Sequence, residues 1–274
     1  MPQSTQENSQ ENTPKKTALI TGAARGIGFA TTKRFLKEGW NVVMVDIDGE
    51  MLNTSSAQLK KTNSINADSV LPITADVSNQ DDIERFISET EKTYGRLDAL
   101  VNNAGVADFG PIRETTFERW RTVMNTNLDG VFLTSQRAIQ LMEKTSPKDG
   151  GSIVNIASIS GLRASTLRSA YGTSKAAVIQ LTLQQAAELG EVGIRANVIA
   201  PGPVRTKLSI AVHSQEIIDA YHDAIPLNRY GSEDELANVI WFLSSPDASY
   251  VNGQILAVDG GFECTGVGLP ALRK

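Results

Sequence analysis

Seven short apolar runs, each separated from the next by a stretch long enough for a helix, constrain the fold of this chain more than any other feature. They cover residues 17–20, 41–45, 70–74, 99–102, 152–156, 195–199 and 254–258. Each is nearly continuously apolar rather than alternating. That is the pattern of strands covered on both faces, as in a parallel sheet. Helix starts stand between them: Ser78 with Asp81, Thr115 with Glu118 and Ser232 with Glu235 each fit an S/T-x-x-D/E cap. The repetition predicts an α/β fold with right-handed crossovers, a doubly wound parallel sheet of about seven strands with helices on both faces.

No long linker interrupts residues 15–274, which predicts one domain. Residues 1–14 are polar, cannot bury enough surface to offset ordering, and read as a flexible tail. Residues 206–230 follow a Pro-Gly-Pro turn, break the rhythm and carry both histidines, His213 and His222. They read as a mobile flap over a site. A single cysteine, Cys264, excludes an intrachain disulfide, and one Cys with two His is too few for a four-ligand zinc centre. The net charge of -5 argues against nucleic acid and anionic membranes as partners. There is no apolar run of membrane-spanning length and no signal-peptide pattern at the N-terminus, which leaves a cytoplasmic protein as the expectation.

After the first run comes Thr21-Gly22-Ala23-Ala24-Arg25-Gly26-Ile27-Gly28, then a helical pattern. Glycines there allow a tight turn and a close approach of backbone to a diphosphate, which the following helix N-terminus attracts. The spacing is GxxxGxG rather than GxGxxG, so the dinucleotide fingerprint is met in mechanism and not in letters. The second run leads into Asp46. An acid there accepts the ribose hydroxyl protons of adenosine and repels a 2'-phosphate; a bare contact at about 4 Å costs roughly 4 kcal/mol at an effective dielectric of 20. This favours NAD over NADP. Arg25 is the counter-signal, since a cation in the loop can meet a phosphate or form a surface ion pair. Asp48 reads as a solvated turn residue.

Tyr171 and Lys175 are four apart in a helical stretch and share one face. An ammonium about 4 to 5 Å from a phenol lowers its pKa by about two or three units at that dielectric, toward the range useful for proton transfer at neutral pH. Ser158 follows the run 152–156, at the strand end where doubly wound sheets bind ligands, with Ser160 as its rival. Its hydroxyl can hold a substrate oxygen while Tyr171 exchanges the proton. Asn127, with Asn125 as rival, can hold a water that relays protons from Lys175.

Together these residues resemble the short-chain dehydrogenase/reductase family, with its Rossmann-like fold, over essentially the whole chain after the tail. Residues 21–28 look like its TGxxxGxG loop, and Asn127, Ser158, Tyr171 and Lys175 match its catalytic tetrad in order and approximate spacing. The resemblance implies that Tyr171 is the acid/base, that Lys175 lowers its pKa and binds the nicotinamide ribose, and that Ser158 steadies the substrate oxygen. It implies a cofactor site formed by Gly22, Arg25, Gly26, Ile27, Gly28, Asp46, Asp76, Val77, Asn103, Ala104, Gly105, Tyr171, Lys175, Pro201, Gly202, Val204 and Thr206. Within it Asp76 resembles the acid that holds the adenine, and residues 102–105 the NNAG segment that stabilises the sheet. Pro201, Gly202 and Thr206 resemble the elements at the nicotinamide end, and residues 258–261 the C-terminal strand and turn. Ala157 departs from the many relatives that have a second serine there, without removing the tetrad hydroxyl. The resemblance also implies a homotetramer or dimer, with residues 262–274 able to reach a neighbouring subunit.

The expected reaction is exchange between a secondary alcohol and a ketone with NAD(H) and no metal. The competing enzyme reading is an NADPH-dependent 3-oxoacyl-[acyl-carrier-protein] reductase. A reading of another class is a dinucleotide sensor without chemistry. A serine hydrolase is excluded because Ser158 lacks a G-x-S-x-G elbow. Substrate contacts are expected from residues 106–109, 159–164 and the flap. Arg163 is a candidate for an anionic group or for the surface, and Leu208 and Ile210 for an apolar wall.

Overall fold

The computed structural model describes residues 15–62, 65–146, 150–206 and 213–265. Strands β1 (Thr17–Thr21), β2 (Asn41–Asp46), β3 (Val70–Thr74), β4 (Ala99–Asn102), β5 (Gly151–Ile156), β6 (Ile194–Pro201) and β7 (Ile255–Val258) form one parallel sheet in the order β3-β2-β1-β4-β5-β6-β7. The strand order reverses between β1 and β4. Carboxyl-terminal loops diverge there and leave the crevice in which doubly wound sheets bind ligands.

Around the sheet lie α1 (Gly26–Lys37), α2 (Gly49–Lys60), α3 (Gln80–Tyr94), α4 (Phe117–Met124), α5 (Gly130–Thr145), α6 (Ile159–Leu162), α7 (Ser169–Leu189), α8 (Gln215–Ala224) and α9 (Glu233–Ser244). The period of two explains why both faces need cover. Ala18 and Ile20 join a core with Phe35 of α1 and Leu236 of α9, whereas Leu19 joins the opposite core with Phe86 of α3 and Leu141 of α5. Edge-to-face packing of Phe35, Trp40 and Trp241, with centroids 5.1 to 5.6 Å apart, fixes α1 against α9. Under the crevice, Asn102 Nδ2 donates to Ser135 Oγ and Asn155 Oδ1, and Asn155 Nδ2 donates to Thr182 and Gln185. These buried amides have partners, so the middle of the sheet is polar without being loose.

Several local expectations change. The α3 cap is Asn79, whose carbonyl accepts from the N–H groups of Asp81 and Asp82; the Ser78 hydroxyl donates instead to Asp76. The α4 cap is Thr116, because Thr115 donates to the Pro111 carbonyl. Ser232 and Glu235 do form a reciprocal capping box. β7 is not covered on both faces: Ile255 and Leu256 are about 40% exposed. Part of the segment read as a flap is helical, with Ser214 capping α8. Leu208 and Ile210, the tail 1–14 and residues 266–274 lie outside the described residues. No helix among the described residues is long and apolar enough to cross a membrane.

Candidate active site

At the nucleotide end, the chain leaves β1 through the glycine loop and enters α1. Gly26 has a left-handed backbone (φ +60°), and a Cβ there would approach only Glu233 Oε1, at 3.8 Å. That side of the loop is open. At Gly28 a Cβ would lie 2.1 Å from the Gly22 carbonyl oxygen, a distance no packing accommodates. Ile27 between them packs against the core. Arg25 at the N-cap supplies no side-chain cap, and the first turn of α1 holds no acid. The helix start therefore keeps N–H groups and a positive dipole end for an anion, which fits a diphosphate.

Asp46, where β2 ends, accepts from Ala24 N (2.9 Å) through one carboxylate oxygen and from Asp48 N (3.0 Å) through the other. Each oxygen retains acceptor capacity for a hydroxyl. Arg25 is committed to Asp48 at 2.6 Å, an exposed ion pair that favours its surface reading over phosphate contact. Asp48 does more than face solvent, because it also caps α2 by accepting from Met51 N. Asp76 Oδ1 accepts from Ser78 N and Oγ, both at 2.8 Å, and Val77 is buried beside Gly130. Asn103 Nδ2 donates to the Thr21 and Gly22 carbonyls, while Asn103 N and Ala104 N donate to Thr21 Oγ1, all at 3.0 Å. Thr21, not singled out from the sequence, thus ties the NNAG segment to the glycine loop. Beyond Pro201, Gly202 N donates to Val258 O, Val204 pairs with Gly231, and Thr206 N donates to Val204 O.

At the chemical end, Tyr171 and Lys175 lie one turn apart on α7. Lys175 is buried, with Nζ donating to the Ile156 carbonyl at 2.7 Å and lying 5.8 Å from the Tyr171 ring centroid. Desolvation pushes its amine down to about 8. The phenol does not move as the spacing predicts. Burial pushes Tyr171 up, while a hydrogen bond with Ser158 and the charge of Arg168 pull it partly back. Desolvating a phenolate outweighs the ammonium, which is itself desolvated and turned to a carbonyl.

Ser158 Oγ also accepts from Ser160 N, while the Ser160 hydroxyl pairs with Ser165 at 2.9 Å. Of the two rivals, Ser158 is the one that bears on the acidity of the phenol. Asn127 is buried in a π-helical turn, Asn125–Asp129, between α4 and α5. Its Oδ1 accepts from Val106 N, and its Nδ2 donates to Val106 O and to Ser174 Oγ. The side chain therefore holds the loop after β4 against α7, and its Oδ1 keeps a second acceptor site. Ser174, which the sequence reading passed over, completes this link by donating to Tyr171 O. Asn125 accepts from Arg121 at the exposed side. Gly105 leaves room beside Asn127 Oδ1 and Lys175 Nζ, which a Cβ would approach to 3.2 and 3.5 Å. Arg163 pairs with Glu263 at 3.1 Å, so the surface reading holds for it. The cation beside the phenol is Arg168, which no motif flagged.

A glycine-loop crevice at a sheet switch point, with a phenol and a buried amine at its other end, defines the dinucleotide-binding α/β class. A family model described as enoyl-(acyl carrier protein) reductase matches residues 22–263, and the chain belongs to the short-chain dehydrogenase/reductase family. It is 38% identical over 246 residues to a 3-oxoacyl-[acyl-carrier-protein] reductase of Thermotoga maritima, covering 90% of this chain and 97% of that protein. It is 37% identical over 246 residues to a meso-2,3-butanediol dehydrogenase of Serratia marcescens, covering 90% and 94%. The crystal structure of levodione reductase superposes with a TM-score of 0.86 at 34% identity, covering 92% of this chain and 99% of that one. The chain is thus an NAD(P)-dependent oxidoreductase acting on hydroxyl and carbonyl groups.

Proposed function

We propose that this chain interconverts a secondary alcohol and a ketone with NAD(H), using Tyr171 as acid and base. The observation that carries the reading is the Tyr171 phenol, whose pKa Ser158 draws down against burial, with the buried amine of Lys175 5.8 Å from its ring centroid and one helical turn away. The start of α1 with Gly26, Ile27 and Gly28 would hold the diphosphate, and Asp46 the adenosine ribose. Asp76 and Val77 would flank the adenine. Asn103, Ala104, Gly105, Lys175, Pro201, Gly202, Val204 and Thr206 would line the way to the nicotinamide. Bound there, the dinucleotide supplies the hydride acceptor or donor.

In the reducing direction Ser158 donates a hydrogen bond to the carbonyl oxygen while Tyr171 gives up its phenolic proton to it. Lys175 as the ammonium stabilises the phenolate left behind. In the oxidising direction the phenolate takes the alcohol proton. Asn127 is a positioning residue, holding the loop that carries Val106. Asp46 supports NAD over NADP. The relative from Thermotoga maritima favours a second reading, an NADPH-dependent 3-oxoacyl-[acyl-carrier-protein] reductase. Fluorescence titration with NADH and NADPH separates the two. The exposed Ile255, Leu256, Phe242 and Tyr250 around β7 support self-association of this chain, as a tetramer or a dimer.

The acid/base assignment is tested by Tyr171→Phe. Turnover of accepted alcohols is expected to fall about 10²- to 10⁴-fold with NADH affinity retained. Undiminished turnover would end the assignment.

A further inference from the structure

Arg168 precedes Tyr171 by one turn of α7 and is half-buried at the mouth of the crevice. Its guanidinium carbon lies 4.4 Å from the centroid of the Phe109 ring and 5.4 Å from that of Tyr171. The guanidinium lies over both aromatic rings, and a guanidinium carries five N–H donors in its own plane that ring contacts leave available. Carboxylates of the flanking loops are committed elsewhere: Asp108 accepts from Arg119 Nε and Nη2, at 2.9 and 2.6 Å, and Glu263 pairs with Arg163. No ion pair of Arg168 occurs among the described residues.

The backbone fixes this placement. Leu167 adopts φ +62°, an uncommon conformation for a bulky residue, and such strain collects at ligand sites. The Leu167 carbonyl accepts from Gly110 N at 3.0 Å, and Arg168 forms a parallel bridge with Gly110. The two loops are thereby joined with Phe109 over the cation. Exposed Val106, Phe109 and Leu167 surround the mouth with apolar surface. A cation with free donors in an apolar rim, next to the reacting phenol, suits a short apolar body with an anionic head.

We infer that Arg168 is a specificity residue that binds a carboxylate a few bonds from the reacting carbon, which makes small hydroxy and keto acids the substrate class. The inference rests on the proposed alcohol–ketone chemistry for its orientation but not for its binding test. The charge of Arg168 also reaches two neighbours: it partly opposes the upward push of burial on Tyr171, and it adds to burial in lowering His213.

The test uses the NADH complex of the full chain with acetoacetate and its neutral methyl ester as probes. Binding is read by fluorescence and hydride transfer separately by NADH absorbance. Acetoacetate is expected to bind about tenfold or more tightly than the ester, as a charge-assisted contact allows. Arg168→Gln is expected to remove that preference and leave the ester within about twofold, while Arg168→Lys retains part of it because the charge stays and the fork is lost. Equal affinity for both probes, no detectable acetoacetate binding, or equal loss of both in Arg168→Gln overturns the inference. Arg168-dependent binding without NADH oxidation leaves it standing and counts against the alcohol–ketone reading. Oxidation of NADH by the ester with no Arg168-dependent preference does the reverse.

Discussion

The two ends of the crevice are held together in opposite ways. At the nucleotide end, side chains such as Asp46, Thr21 and Asn103 accept from or donate to backbone and leave a helix start available to an anion. These contacts favour both the fold and the ligand. At the chemical end, a phenol and an amine are carried into low dielectric, and each is displaced away from its charged form. Burial there favours chemistry and opposes folding. Substitutions at the two ends should therefore move stability in opposite directions while both impair function.

The largest effect is expected from Gly28→Ala. The new Cβ would stand 2.1 Å from the Gly22 carbonyl oxygen, which is backbone, and 2.7 Å from Asn103 Nδ2, which is itself held by the Thr21 and Gly22 carbonyls. Overpacking of side chains costs about 1–3 kcal/mol, and a backbone clash belongs at or above that range. Thermal unfolding should show a marked drop in Tm, and titration should show loss of NADH binding. A variant with native Tm and NADH affinity would mean that the loop is far softer than its contacts indicate.

Lys175→Met should do the reverse to stability. The folded amine has a pKa of about 8, below that of an unfolded lysine. The unfolded chain therefore binds more protons between those values, and wild-type stability rises with pH across that window. Below pH 8 the burial penalty is present in full, about 3 kcal/mol. Methionine removes the penalty. The variant should be more stable than wild type at pH 7, with the gain shrinking as pH rises from 8 toward 10, and turnover should fall about a hundredfold or more. Denaturant unfolding of both proteins across that range checks the sign. A gap that stays constant or widens would mean that Lys175 is not held near neutrality.

The same contrast explains what the sequence disclosed. Strand runs were legible to within two residues at either end because a sheet covered on both faces demands continuous apolar residues. Gly28 and Asp46 stood out because backbone geometry and charge restrict those positions to one or two residue types. β7 misled, since its apolar run is half exposed, and an apolar run does not report whether anything packs on it. The caps of α3 and α4 slipped by one residue because Ser78 and Thr115 had rival acceptors nearby in space. Arg168 escaped notice because an arginine beside a Ser-Ala-Tyr sequence carries no pattern; its meaning comes from Phe109, which is distant in sequence and reaches it through a strained loop. The direction of the Tyr171 shift was likewise hidden, because spacing reports proximity but not desolvation.

Asp46→Ala gives the smallest change in stability and the sharpest view of the nucleotide end. Its two carboxylate oxygens accept from Ala24 N and Asp48 N, so the substitution leaves two donors to find water at a half-exposed position. A cost of about 1 kcal/mol is expected, below that at Gly28 because water can reach both groups. The change in cofactor choice should be more evident. A bare carboxylate would oppose a 2'-phosphate by roughly 4 kcal/mol, but one already accepting from two backbone N–H groups presents less field and is partly screened. NADPH affinity should therefore rise only about tenfold while NADH affinity falls by a similar factor through the lost ribose contact. Parallel titrations with the two dinucleotides measure both. If NADPH affinity stays flat while NADH weakens, Asp46 recognises the ribose without repelling phosphate, and discrimination has to be sought in the Arg25–Asp48 pair beside it.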